Sequence, residues 1–82
     1  MQYIKSAAVA PNYQVELTFA DEAIVRVDFA PIIARGGVFA QLADPIVFNT
    51  LSIGDAGRYL EWPGEIDFCA DSLRQMAISP SA

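Results

Sequence analysis

Hydrophobic and polar residues alternate strictly from Tyr13 to Phe19. Tyr13, Val15, Leu17 and Phe19 are separated by Gln14, Glu16 and Thr18. A period of two marks a strand with one face in a core and the other in water. The stretch "AIVRVDF" repeats the pattern, with Val25, Val27 and Phe29 set against Arg26 and Asp28. Between the two lies "ADEA", a short polar turn without the Asn-Gly or Asp-Gly pair that fixes a type I′ turn. The pattern predicts an N-terminal hairpin, with a further short strand ahead of it around "QYIKSAAVA". Arg26 is placed to pair with Glu16 or Asp28 across the exposed face, a contact of little energetic weight.

After the hairpin the period changes. Pro31 in "APIIARGG" suits the first turn of a short helix, and Gly36-Gly37 stops it. "ADPIVF" carries a second start signal, with Asp44 as cap and Pro45 just inside the helix. Leu42, Ile46 and Phe48 are then expected to face the core. "NTLSIGDAG" leads away into a turn at 55–57. "RYLEW" reads as another strand, with Tyr59 and Glu61 on one face and Leu60 and Trp62 on the other. Pro63 has no amide to give and ends that strand. "DFCADSLRQMA" reads as a last helix, capped by Cys69 or Asp71, with Leu73 and Met76 or Ala77 at core spacing. Residues 78–82 read as a fraying tail. The expected fold is α+β: a small antiparallel sheet with short helices, an N-terminal hairpin and a C-terminal helix.

Size limits what such a fold can enclose. The chain has 82 residues, enough for one domain. A chain this short buries about 60% of its unfolded surface. The hydrophobic fraction is 54%, high for a small monomer, and points to a well-filled core or a hidden partner surface. Net charge is −5 and uneven: three basic and four acidic groups in residues 1–40, two and six in 41–82. Non-specific DNA affinity depends on Lys and Arg, so autonomous nucleic-acid binding is not expected. A basic protein partner suits this charge. The single cysteine cannot form an internal disulfide, which makes the cytoplasm the default setting. No apolar run approaches a membrane span, and the first residues do not form a signal peptide.

Several fragments together carry a family resemblance. They are Tyr13 to Phe19 with Asp21 and "VDF" at 27–29, "GGVFAQLADPIVF" at 36–48, and "LEWPGEIDFCADSL" at 60–73. The chain resembles DUF2442, a small bacterial domain of unknown function. The likeness covers roughly residues 11 to 75, and the domain core is placed at about 11–77. Two departures concern turns. The family pattern has glycine after the hairpin aspartate, where this chain has Glu22. It has Trp-Pro-Asn-Gly before the later aspartate, where this chain has Trp62-Pro63-Gly64-Glu65. The resemblance implies a compact α+β domain with an antiparallel sheet. Some members carry a DNA-binding helix-turn-helix segment after the domain; these 82 residues show none, so that function is not expected here. Others resemble products of small paired genes, an arrangement that suggests toxin–antitoxin modules. The family supplies no catalytic residue set.

The candidate chemistry is sparse. Asp67 and Asp71 are four apart and would share a face if one helix held both, as an acid and base pair can. The plainer alternative sets Asp67 on turn amides and Asp71 at a helix start. Adding Glu61 and Glu65 makes an oxygen-rich set, but without calcium-loop spacing, so no metal site is expected. Cys69 lacks any histidine to activate it, because the chain has none. A core thiol or helix cap is the better reading. Arg35-Gly36-Gly37 lacks the Lys-Ser or Lys-Thr of a phosphate loop and reads as a turn. Trp62 could be a contact residue, but core packing is the favoured reading.

These residues point to a non-enzymatic protein-interaction domain, by resemblance an antitoxin-like partner in a two-gene module. Trp62, Glu61, Glu65, Asp67 and Asp71 are its candidate surface. No cofactor is expected. The partner is a small basic protein or a second copy, with no membrane involved. The alternatives are a small hydrolase using Asp67 and Asp71, with or without a metal, and a structural dimer unit of a former regulatory protein.

Overall fold

The computed structural model describes residues 2–80. Two small antiparallel sheets share one core. The first has the order β1-β2-β3-β7, from β1 (Ile4–Ala10), β2 (Gln14–Phe19), β3 (Ile24–Asp28) and β7 (Ala77–Pro80). The second has the order β4-β5-β6, from β4 (Ser52–Gly54), β5 (Tyr59–Trp62) and β6 (Ile66–Cys69). The α+β expectation holds, with two sheets where one was expected.

The hairpin follows the period of two. Val15, Leu17 and Phe19 on β2 and Val25 and Val27 on β3 are buried, and their neighbours face outward. The Phe19 amide donates to the Ala23 carbonyl at 2.8 Å, and the Asp21 carboxylate accepts from the Ala23 amide at 3.1 Å. Glu22 takes a left-handed φ of 72° in this turn. That is the position where the family pattern has glycine. Across the outer face Arg26 pairs with Glu16 at 3.3 Å.

Both helix-start signals work as read. α1 (Ala30–Ala34) has Pro31 in its first turn, and the chain turns at Gly36 and Gly37 with φ of 77° and 62°. α2 (Pro45–Phe48) is capped by Asp44, whose carboxylate accepts from the Ile46 amide at 2.9 Å. Between them Gly37–Ala43 winds as a 3-10 segment and buries Leu42. Ile46 corrects the expectation. It is 78% exposed, whereas Phe48 is buried. In a single helical turn, two positions apart is about 200° of rotation, so both cannot face the core.

Three further expectations change. The stretch read as leading away holds β4 before its turn at Asp55–Gly57. Asp67 and Phe68, read as the start of the last helix, lie in β6 instead, because the turn after Pro63 returns the chain alongside β5. α3 (Ala70–Met76) begins only after Cys69. Ala77, expected at the end of the last helix, and residues 78–80 of the expected tail add β7 to the edge of β3. Residues 81 and 82 lie outside the described residues.

The core is aromatic at its centre. Phe29 meets Trp62, Phe68 and Phe48 edge-on, with ring centroids 5.2, 5.3 and 6.0 Å apart. Such edge-to-face contacts add to the area that these rings bury. Leu42, Leu60, Ile66 and Leu73 complete the layer between the sheets and helices.

Candidate functional site

The β5–β6 hairpin sorts its residues by the same alternation. Leu60 and Trp62 point inward; Tyr59 and Glu61 point outward. On β6, Ile66 is buried while Asp67 and Cys69 are exposed. The ladder sets Glu61 opposite Asp67 and Tyr59 opposite Cys69, with Ser52 and Gly54 of β4 on the far side of Glu61 and Tyr59. The outer face of the second sheet therefore reads as two rows, Ser52-Glu61-Asp67 and Gly54-Tyr59-Cys69. A side chain at Gly54 would collide with the Tyr59 ring and the Glu61 carboxylate, so both fold over the bare glycine. Glu65 sits in the hairpin turn at the end of this face.

Electrostatics distinguishes this face from the rest of the surface. Of the ten side-chain carboxylates, most are engaged within the chain. Glu22 pairs with Lys5, Glu16 with Arg26, Asp55 with Arg58 and Asp21 with Arg74. Asp28 and Asp44 accept from amides at helix starts, and Asp71 accepts from the Gln2 amide at 2.7 Å. Among the described residues only Glu61, Glu65 and Asp67 are left without a hydrogen-bond or ion partner. Like charges directly opposite in a ladder destabilise it. No group of three or more Asp, Glu, Cys or His among the described residues is arranged to hold a metal ion.

Three of the nominated residues thus come together, and two do not. Trp62 is core rather than surface: it is 2% exposed, its indole donates to the Phe48 carbonyl at 2.8 Å, and its ring stacks on Phe48 at 5.6 Å. Its inward parity on β5 decides this. Asp71 stands in the first turn of α3 and ties down the N-terminal segment. Asp67 and Asp71 occupy a strand and a helix, so the shared helical face required for a carboxylate pair does not form. The sequence reading missed Ser52 and Gly54 as part of this face. The only signal for them was the short apolar pair Leu51 and Ile53 around Ser52.

Beside this face is an open hollow of about 230 Å³ lined by Gln2, Arg58, Tyr59, Cys69, Ala70 and Asp71. Cys69 is the cap of α3, as the sequence allowed, and it is exposed rather than buried. The Ser72 hydroxyl, 3.1 Å from the sulfur, and then the Ser72 amide hold its thiol below the usual range, against the opposing effects of burial and of the Asp71 charge.

Comparison with known proteins places the chain in a family without assigning it a role. A family model described as a protein of unknown function, DUF2442, matches residues 4–79, and the chain belongs to that family. No curated protein and no solved structure matches. No helix among the described residues is long and apolar enough to cross a membrane.

Proposed function

We propose that this DUF2442 domain binds a basic protein, without catalysis, through the outer face of its second sheet. The reading rests on one observation: the carboxylates without a partner among the described residues, Glu61, Glu65 and Asp67, all lie on one hairpin, two of them directly opposed. Lysine or arginine side chains from a partner would relieve that repulsion and satisfy both oxygens of each group. The Tyr59 ring next to Glu61 offers a face for the same cations. Such charge complementarity speeds the encounter and selects the partner. The family resemblance suggests the setting, an antitoxin-like partner in a small two-gene module, and the lone cysteine suits the cytoplasm. The net charge of −5 is unfavourable for binding nucleic acid without such a partner.

The test compares the tagged wild-type chain with the double variant Glu61→Lys, Asp67→Lys in capture from lysate of the source organism at low salt. The expected result is one basic protein held at equal stoichiometry by the wild type, released as salt rises, and absent from the variant. Retention of nothing, or equal retention by a folded double variant, overturns the proposal.

A further inference from the structure

We infer that β1 is a self-association edge, across which two copies of this domain join by antiparallel pairing of their β1 strands. The described sheets end in four edge strands, and they differ. β7 meets β3 through a register shift and ends in Pro80, which has no amide. β4 has three residues. β6 carries Asp67, already opposed by Glu61. β1 has seven residues, no proline and no carboxylate. Bulges, prolines, short strands and charged side chains, lysine above all, are the usual guards of an edge, and only on β1 do they leave five consecutive residues in register. Its guards, a register shift and the charge of Lys5, both sit at its Ile4 end, where the Gly57 turn also packs on the Ile4 backbone. Ser6 to Ala10 run in continuous register with β2.

The backbone of that segment is set for a partner. Phe19 donates to Ala23 and Phe29 donates to Tyr13, so the odd-numbered residues of β2 turn their backbone groups toward β3. The even-numbered ones, Gln14, Glu16 and Thr18, face β1 opposite Ala10, Ala8 and Ser6. Ala7 and Val9 therefore direct their N–H and C=O groups away from the sheet. Their side chains share the core-facing side with Leu17 and Val15, which are fully buried. Yet Val9 remains 37% exposed, at the rim of a groove of about 230 Å³ walled by Tyr13, Pro45 and Phe48.

A second copy fits this edge by symmetry and charge. With Ala7 of one copy opposite Val9 of the other, both become hydrogen-bonded pairs and both valines lie on the groove side of the joined sheet. An interface of this kind closes on itself after two copies. The uncompensated carboxylates belong to the other sheet, and the only charge on β1 is Lys5, held by Glu22 at 2.6 Å. Copies carrying −5 each can thus meet here without setting carboxylate against carboxylate across the strands.

Sedimentation of the full chain over a wide concentration range tests this. The expected result is a reversible dimer that tightens as salt rises, because salt screens the repulsion between like-charged copies. Capture of a basic partner weakens with salt, so the two proposals fail separately. Ala7→Pro removes an amide that the single copy does not use, and an edge strand tolerates proline. Its expected effect is at least about a tenfold weaker dimer with an unchanged circular dichroism spectrum. If that variant does not fold, Val9→Lys decides, with the same expected weakening. A chain that stays monomeric at every concentration overturns the inference. So does a folded variant whose dimer is as tight as that of the wild type.

Discussion

Glu61 on β5 and Asp67 on β6 stand directly opposite each other in the ladder, and no cation of the described chain reaches either one. The hydrophobic residues that alternate with them explain why the fold tolerates this. Leu60 and Trp62 on one strand and Ile66 on the other are buried, and their burial fixes the register that opposes the two carboxylates. A one-residue slip would turn that set out to water. The repulsion is therefore a cost of this register.

Asp67→Lys should replace that repulsion with attraction. The expected gain is about 0.5–1 kcal/mol, seen as a higher urea midpoint and diminishing as salt rises. The same change should abolish capture of a basic partner. Equal or lower stability in low salt would show that the opposed pair costs the fold nothing.

The turn that joins the two strands carries a second local cost. Gly64 and Glu65 have φ of 92° and 66°. The left-handed region costs a residue with a side chain about 1–2 kcal/mol, partly offset in any glycine replacement by the greater freedom of the unfolded chain. Glu65→Gly should therefore stabilise the domain by about 0.5–1 kcal/mol. Chemical denaturation measures it directly. Glu22→Gly should gain less, since Glu22 also holds Lys5. A loss of stability in Glu65→Gly would mean that the turn is not strained.

Both of these positions were visible in the sequence, as places where the chain departs from a family pattern that has glycine. Long alternation was also legible: β2, β3 and β5 follow from it, and so does the parity that puts Glu61 outward. Short elements were not. β4 has three residues, too few for a period to register. β6 was absorbed into the helix that follows it, because Asp67 and Phe68 fit either reading until the turn after Pro63 fixes their direction. Ile46 faces water because Ile46, Val47 and Phe48 are three consecutive apolar residues in one helical turn, which cannot all face the core, and the sequence does not say which one is left out. The candidate surface was half legible for the same reason. Its charges could be read one by one, but their lack of partners is a property of the folded chain.

Trp62 should behave as a core residue rather than a contact residue. Trp62→Ala should cost about 3–5 kcal/mol, the range for removing a large buried aromatic. Trp62→Phe keeps most of the packing with Phe29 and Phe48 but leaves the Phe48 carbonyl without its indole donor. Its expected cost is about 1–3 kcal/mol. Circular dichroism must follow the unfolding, since the chain's one tryptophan is lost. A neutral Trp62→Ala would return this residue to the surface.

Asp21 should govern part of the response to acid. The Ala23 amide holds the carboxyl below its usual range against the opposing effect of burial, and the Arg74 guanidinium lowers it further. Arg74 also lies over the Phe19 ring at 4.8 Å and donates to the Gln2 side chain at 2.8 Å, so the turn, the N-terminal segment and α3 meet here. A carboxyl whose folded value lies below its unfolded value adds stability that is complete above about pH 4 and disappears as pH falls through the folded value. Asp21→Ala should therefore be less stable than the wild type at neutral pH, with the two curves converging in acid. Urea unfolding of both chains across that window checks it. A difference that stays constant into strong acid would mean that the turn gains nothing from the ionised form.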